Sequence, residues 1–118
     1  MGAFSHEPLD DFVDFAKAVA LKVSSDREAR GILLCGSAAG MCIAANKIPG
    51  VRCGVGHSVK EVQAARHDDD INVLALPADF IEKGEALPIV EAFLTTEFIP
   101  EEKYMRRIAK IRELETHA

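Results

Sequence analysis

The chain has 118 residues, of which 48% are apolar and 28% charged, a composition that suits one globular domain over residues 1–118. Its net charge of −5 argues against nucleic acid or an anionic membrane surface as a partner, because neither polyanion would be attracted on average. We expect neither secretion nor membrane insertion, since no signal-like N-terminus and no apolar stretch near ~18 residues is visible.

The first half of the chain predicts two helices and two strands. Apolar residues recur with a period near 3.6 between Leu9 and Val23, after Pro8, which indicates an amphipathic helix. The apolar run Gly31–Cys35, between charged and glycine-rich flanks, predicts a strand buried on both faces. We expect a short alanine-rich helix over Met41–Lys47 and a second strand over Val51–Val55.

The next elements are a capped helix and a third strand. Ser58 and Glu61 have the spacing of a capping box, which opens a helix that runs towards His67. The apolar run Ile71–Leu76, stopped by Pro77, predicts the third strand. Alternating short strands and helices are typical of a parallel sheet with right-handed crossovers.

The last part of the chain predicts two helices, one over Pro88–Leu94 and a basic one after Pro100. The fold class is therefore α/β, a three-layer α/β/α arrangement with a parallel, Rossmann-like sheet and a C-terminal basic helix. Three strands make a small sheet, so we expect either that the N-terminal part of a complete domain is missing or that a second chain covers an exposed edge.

The three cysteines point to one candidate site. They form no CxxC pair and no even set, which favours a reducing, cytoplasmic setting over structural zinc or disulfides. Cys35 ends a strand and enters a turn in which Gly36 and Gly40 permit close approach of a ligand, and a following helix would favour the thiolate. The alternative is that Cys35 is a buried small apolar residue. We expect Cys42 and Cys53 to be protonated, shielded core residues.

Residues 31–47, GILLCGSAAGMCIAANK, resemble the signature CGTGxGxxxxANK of the ribose-5-phosphate isomerase type B and galactose-6-phosphate isomerase group. Ser37 replaces the threonine of that signature, and Ala38 replaces a glycine. The likeness continues through GVR at residues 50–52, NVL at 72–74 and AFLTTEF at 92–98. It therefore extends over nearly the whole chain.

This resemblance implies an aldose–ketose isomerisation of a sugar phosphate, such as ribose 5-phosphate to ribulose 5-phosphate. Cys35 matches the base that moves a proton between C1 and C2, with Ser37 beside it as a second catalytic residue. The N–H groups between Gly36 and Gly40 would stabilise the enediolate, so no metal or other cofactor is implied.

The family binds the phosphate with basic side chains near the C-terminus, usually donated across a dimer interface. Lys103 and Arg107 occupy those positions, and their i, i+4 spacing places them on one helix face. A solvated basic stripe is the alternative. The resemblance thus implies a small-molecule sugar phosphate as ligand and a homodimer or larger assembly.

Two parts of the family pattern are absent. The Asp-His-Ala-Gly motif that opens the family has no counterpart, so the chain is expected to be N-terminally shortened. A His-Asn pair of the family falls on Asp68 and Asp69, which gives Asp69 a substrate-binding position, and His67 lies one residue early. His57 aligns with a family histidine and stands with His67 and Asp68 as a secondary candidate, although a lone loop histidine more often faces solvent.

These departures leave other functions open. One is a truncated or diverged member that binds anions without catalysis, and another is one subunit of a heteromeric isomerase. A third is a small-molecule or nucleotide sensor, which a glycine-rich turn alone would permit. We rank the sensor last because neither a GxGxxG fingerprint nor a Walker lysine follows the turn.

Overall fold

The computed structural model describes residues 11–116. In that part of the chain the elements are α1 (Phe12–Ser24), β1 (Gly31–Cys35), α2 (Ala39–Ala45), β2 (Cys53–Val55), α3 (Val59–Asp69), β3 (Val73–Pro77), α4 (Lys83–Thr95) and α5 (Glu102–Thr116). The strands form one parallel sheet in the order β1-β3-β2. The predicted α/β class with a parallel sheet is confirmed.

The central strand β3 separates two apolar cores. Val73 and Ala75 face the core that α1 and α2 cover, whereas Leu74 and Leu76 face the core that α3 and α4 cover. This alternation follows from the twofold side-chain period of a strand, and all five residues of β3 are buried. Helices therefore lie on both faces of the sheet, which gives the predicted three layers.

Strand β1 lies at an edge of the sheet, and the expectation that both its faces are buried is wrong. Leu33 is buried against α1 and α2, but Ile32 and Leu34 on the other face are 40% and 64% exposed. The reason is the strand order: α3 and α4 pack over the β3 side of that face. An apolar strip along β1 is left open to solvent.

The side chain of Asn46 closes the outer edge of β2. Its Oδ1 accepts a hydrogen bond from the Cys53 N–H at 2.7 Å, and its Nδ2 donates to the Cys53 carbonyl at 3.0 Å. A primary amide has the same donor and acceptor as a peptide group, so Asn46 takes the place of one residue of a neighbouring strand.

Several element boundaries differ from those predicted. Helix α4 begins five residues before Pro88, because Glu82 and Glu85 form a reciprocal capping box that starts the helix earlier. Ser58 accepts a hydrogen bond from the Glu61 N–H as predicted, but the Glu61 carboxylate bonds the His57 N–H rather than completing the box. The predicted start at Leu9 lies outside the described residues.

Helix α5 rests on α3 through a narrow apolar contact. Ile108 is buried, whereas Ile111 and Leu114 on the same predicted stripe remain exposed. The Tyr104 ring meets the His67 ring edge-on, with 5.7 Å between the ring centroids. None of the helices in the described part of the chain has the length and apolar character needed to cross a membrane.

Candidate active site

Cys35 is the last residue of β1, half-buried, and it packs against the core under α1 and α2. The chain then turns through residues 36–38 into α2. Ala38, the residue before α2, has a φ of +67°, in the left-handed region that favours glycine. The family signature has glycine at this position, and the backbone conformation explains why.

Asp79 is a further candidate site residue, which the sequence did not predict. The loop after β3 lies against the Cys35 turn: the Ala78 N–H donates to the Cys35 carbonyl at 2.8 Å, and the Asp79 N–H donates to the Gly36 carbonyl at 2.9 Å. A Cβ on Gly36 would lie 2.6 Å from the Asp79 carboxylate. Gly36 therefore admits a carboxylate beside the turn. The position of Asp79 just after a buried strand was the available signal.

Gly40 has a packing role that the sequence analysis did not foresee. A Cβ at this position would lie 2.6 Å from the ring of Phe12, so glycine lets α1 and α2 approach each other. Ser37 is exposed in the turn, and its hydroxyl accepts a hydrogen bond from the Ala39 N–H at 3.4 Å. His57 lies at the same carboxyl edge of the sheet, 3.2 Å from the Glu61 carboxylate through Nδ1.

A second group of candidate residues gathers where α3 ends and α5 begins. His67 Nδ1 lies 2.6 Å from Asp68 Oδ1, and this hydrogen bond is the main cause that holds the pKa of Asp68 below its usual range. The Lys103 ammonium lies over the Tyr104 ring at 5.0 Å from its centroid. Tyr104 and Lys103 also favour the ionised form of Asp68.

The two groups lie at opposite edges of the sheet. Helix α3 returns from the end of β2 to the start of β3, so its last residues, His67 to Asp69, lie at the amino edge, while Cys35 lies at the carboxyl edge. The Lys103 ammonium lies over the Tyr104 ring, and that ring contacts the His67 ring. Arg107 is exposed one turn further along α5. One copy of the chain therefore does not bring the predicted phosphate-binding residues to Cys35.

The pKa of Cys42 is lowered from its ordinary value of 9.0 to about 7, so the thiol is only partly protonated near neutral pH and not fully protonated as expected. A hydrogen bond from Cys53 is the largest cause that lowers the pKa of Cys42, to about 7, and Asn46 Nδ2 donates to its sulfur at 3.5 Å. The same pairing, with burial, raises the pKa of Cys53. Both thiols pack against the core as predicted, but the pKa of Cys42 is lowered and the pKa of Cys53 is raised.

Comparisons with known proteins agree with this architecture. The family model described as Ribose/Galactose Isomerase matches residues 1–111. The ribose-5-phosphate isomerase B of Mycolicibacterium paratuberculosis is 39% identical over 117 residues, which are 98% of this chain and 74% of that protein.

Two solved structures are similar over the whole chain. Ribose-5-phosphate isomerase B from Mycoplasma genitalium with bound ribulose-5-phosphate has a TM-score of 0.92 and 38% identity, covering 100% of this chain and 78% of that one. Type B ribose 5-phosphate isomerase from Trypanosoma cruzi has a TM-score of 0.94 and 37% identity, with 100% and 77% covered. The chain belongs to the ribose/galactose isomerase family, among the ribose-5-phosphate isomerases of type B, which interconvert an aldose and a ketose phosphate.

Proposed function

We propose that the chain interconverts ribose 5-phosphate and ribulose 5-phosphate, or a closely similar pair of sugar phosphates, with Cys35 as the base. The observation that carries this proposal is the position of Cys35 at the carboxyl edge of a parallel sheet, at the turn into α2. The similarity to the Mycoplasma genitalium structure, which contains ribulose-5-phosphate, supports the choice of substrate.

The isomerisation needs one base, and it needs hydrogen-bond donors that stabilise the negative charge developing on the enediolate oxygen. The Cys35 thiolate takes the proton from C2 of the open-chain aldose, and the electrons of that bond form the C1–C2 double bond of an enediolate. The proton returns to C1, while the C2 hydroxyl proton passes to the oxygen on C1, so no electron is gained or lost overall. The first N–H groups of α2 have no intrahelical acceptor and can stabilise the enediolate oxygen, and Ser37 supplies a hydroxyl beside them.

We further propose that the complete site needs two copies of the chain. Asp69, Lys103 and Arg107 belong to the amino edge of the sheet, and Cys35 to the carboxyl edge. A second copy that brings its own α5 to the Cys35 turn would supply the phosphate contacts. The exposed strip of Ile32 and Leu34 along β1 is a second feature that favours association of copies.

Mixing two inactive variants tests the two-copy site. Cys35→Ser removes the base, and Arg107→Ala removes a phosphate contact, so each protein alone should show little turnover when ribose 5-phosphate is well below the wild-type KM. In a mixed dimer, one of the two sites combines an intact Cys35 with an intact Arg107. Statistical mixing should therefore restore up to about a quarter of the wild-type activity. No recovery with a proven mixed dimer would show that each site is built within one copy.

The role of Cys35 is tested by comparing two serine variants. Cys35→Ser should lose isomerase activity, because a serine hydroxyl is a far weaker base near neutral pH. Cys53→Ser is the matched control: the same change at a residue that lies outside the turn. Activity should be assayed on a panel of pentose and hexose phosphates. Full activity of Cys35→Ser, or equal losses in both variants, would contradict the assignment of Cys35 as the base.

A further inference from the structure

Five arginines surround a cavity of about 490 Å³ at the amino edge of the sheet, away from Cys35. It lies between the end of α1, the segments that enter the three strands, and α5. The arginines in its lining are Arg27, Arg30, Arg52, Arg66 and Arg112. The carboxylates in its lining are Asp26 and Asp70, so three positive charges remain uncompensated within the lining.

Asp70 is already shared between two of these arginines. Its carboxylate lies 2.7 Å from Arg66 Nη1 and 3.3 Å from Arg52 Nη2. Asp70 is the C-cap residue that follows α3, and its φ of +49° directs the chain from the helix into β3. Between residues 11 and 116 no other carboxylate forms an ion pair with an arginine of the cavity.

Three of the arginines have structural hydrogen bonds, and of these Arg52 donates through its Nε to the Asp70 carbonyl at 3.0 Å. Arg66 is only 3% exposed and donates to the carbonyls of Thr96 and Ile71 in addition to Asp70. Arg30 donates to the Phe93 carbonyl at 2.6 Å. These contacts hold positive charge at fixed positions in the wall, and a fixed guanidinium loses little freedom when it binds an oxyanion.

The like charges oppose one another in the free protein. Burial is the largest cause that lowers the pKa of Arg52; Asp70 and Glu115 raise it, and the neighbouring Arg112 and Arg66 lower it. Burial and Arg66 likewise lower the pKa of Arg30, and Asp70 and Glu97 oppose them by raising it. Arg27 and Arg112 are exposed, and neither forms an ion pair between residues 11 and 116. An anion in the cavity would relieve the repulsion among these like charges.

We propose that this cavity binds a compact oxyanion with about three negative charges, held by guanidinium groups of Arg30, Arg52, Arg27 and Arg112. The chain as a whole carries a net charge of −5, so such a ligand is attracted by this local group and not by the overall charge. The ligand chemistry can come from phosphoryl groups or from carboxylates. Pyrophosphate and citrate are the two probes that separate these sources.

The test measures binding of each probe by isothermal titration calorimetry at low ionic strength. The variant protein is Arg27→Gln with Arg112→Gln, because both residues lie at the rim and their loss should leave the fold intact. Arg106→Gln is the control: it removes one positive charge from α5 at an exposed position outside the cavity. We expect affinity to fall at least about tenfold in the double variant and to stay unchanged in Arg106→Gln.

The variant Arg107→Gln distinguishes anion binding in this cavity from anion binding at the proposed sugar-phosphate site. Pyrophosphate binding that survives in Arg107→Gln and is lost in the double variant supports the cavity. The Nε–Hε resonances of Arg30 and Arg52 should shift during the same titration. Absence of binding by both probes would overturn the proposal. Unchanged affinity in the double variant, or loss in Arg107→Gln alone, would also overturn it.

Discussion

The Asp79 carboxylate lies in the space that a side chain on Gly36 would fill, with 2.6 Å between its Oδ2 and the position of a Cβ. The backbone of Asp79 is fixed there by its hydrogen bond to the Gly36 carbonyl. A negative charge is thus held beside the turn that we propose to bind an anionic substrate and an enediolate.

Replacing Asp79 by asparagine should improve the binding of a sugar phosphate. The amide keeps the shape and the backbone hydrogen bond but removes the charge, so the KM for ribose 5-phosphate should fall by about two- to fivefold at low salt. The effect should shrink as salt is added. Steady-state kinetics at two ionic strengths measure it, and a KM that rises would show that the carboxylate contacts the substrate favourably.

Lys103→Ala and Arg107→Ala should each weaken the binding of a sugar phosphate by about tenfold, since each removes a charge-assisted contact to the phosphate. Binding of the matching unphosphorylated sugar should change little. Lys110→Ala on the same helix is a control with the same loss of charge. Equal losses for the phosphorylated and unphosphorylated sugars would contradict a phosphate-binding role.

Cys42 should react with iodoacetamide near neutral pH, with half of its maximal rate at pH about 7. In Cys53→Ala the pKa of Cys42 should rise, because the hydrogen bond from Cys53 is the largest cause of its lowering. Peptide mass analysis against pH measures the rate at each cysteine. Cys53 should label slowly, since its own pKa is raised. An unchanged profile for Cys42 in Cys53→Ala would show that another group activates it.

The same pair makes stability depend on pH. The pKa of Cys42 is about 7 in the folded chain and has an ordinary value of 9.0, so the unfolded chain binds more protons between these values. The free energy of unfolding should therefore rise with pH from 7 to 9, and the contribution of Cys42 is lost as the pH falls through 7. Above pH 9 the raised pKa of Cys53 acts in the opposite direction. Urea titrations of wild type and Cys42→Ser should show the rise only in the wild type.

Ala38 should tolerate glycine but not valine. Ala38→Gly removes the steric strain of a side chain in the left-handed region, but it loses a buried methyl group and increases the conformational entropy of the unfolded chain. Because these effects oppose each other, the free energy of unfolding should change by less than about 1 kcal/mol. A β-branched side chain is strongly disfavoured at this φ, and it would have to be accommodated at a fully buried position. Ala38→Val should cost more than about 2 kcal/mol in urea unfolding. Equal stabilities of the two variants would contradict the steric strain that we expect for valine at this φ.

Asn46→Ala should lower the free energy of unfolding by about 1–2 kcal/mol, because both hydrogen bonds to the Cys53 backbone are lost. Lys47→Ala, the exposed neighbour, is the control and should change stability by less than about 0.5 kcal/mol. The open edge of β2 should also make Asn46→Ala more prone to aggregation, which light scattering detects. Equal behaviour of the two variants would show that water replaces the amide at no cost.

The sequence predicted the sheet, the layers and the position of Cys35 because these follow from local patterns. An apolar run of five residues, followed by glycine, indicates a strand and its end wherever it occurs. The exposure of Ile32 and Leu34 was not predictable in this way, because it depends on the order of strands in space.

The site was predicted less completely for the same reason. Asp79 reaches Gly36 across 43 positions of sequence, and the hydrogen bond between Cys42 and Cys53 joins a helix to a strand. Neither contact has a local signature. The spacing of Lys103 and Arg107 showed that they share a helix face, but it did not show that this helix starts at the far edge of the sheet from Cys35.

The separation of Cys35 from Lys103 and Arg107 has a consequence for how activity scales with the amount of protein. A catalyst assembled from halves of two molecules has a rate that falls with the square of concentration once the molecules dissociate. Dilution would then lower the activity per molecule. Bound substrate would oppose this loss, because a sugar phosphate in contact with both molecules lowers the concentration at which the pair separates. The abundance of the chain in a cell would in this way set its specific activity as well as its total activity.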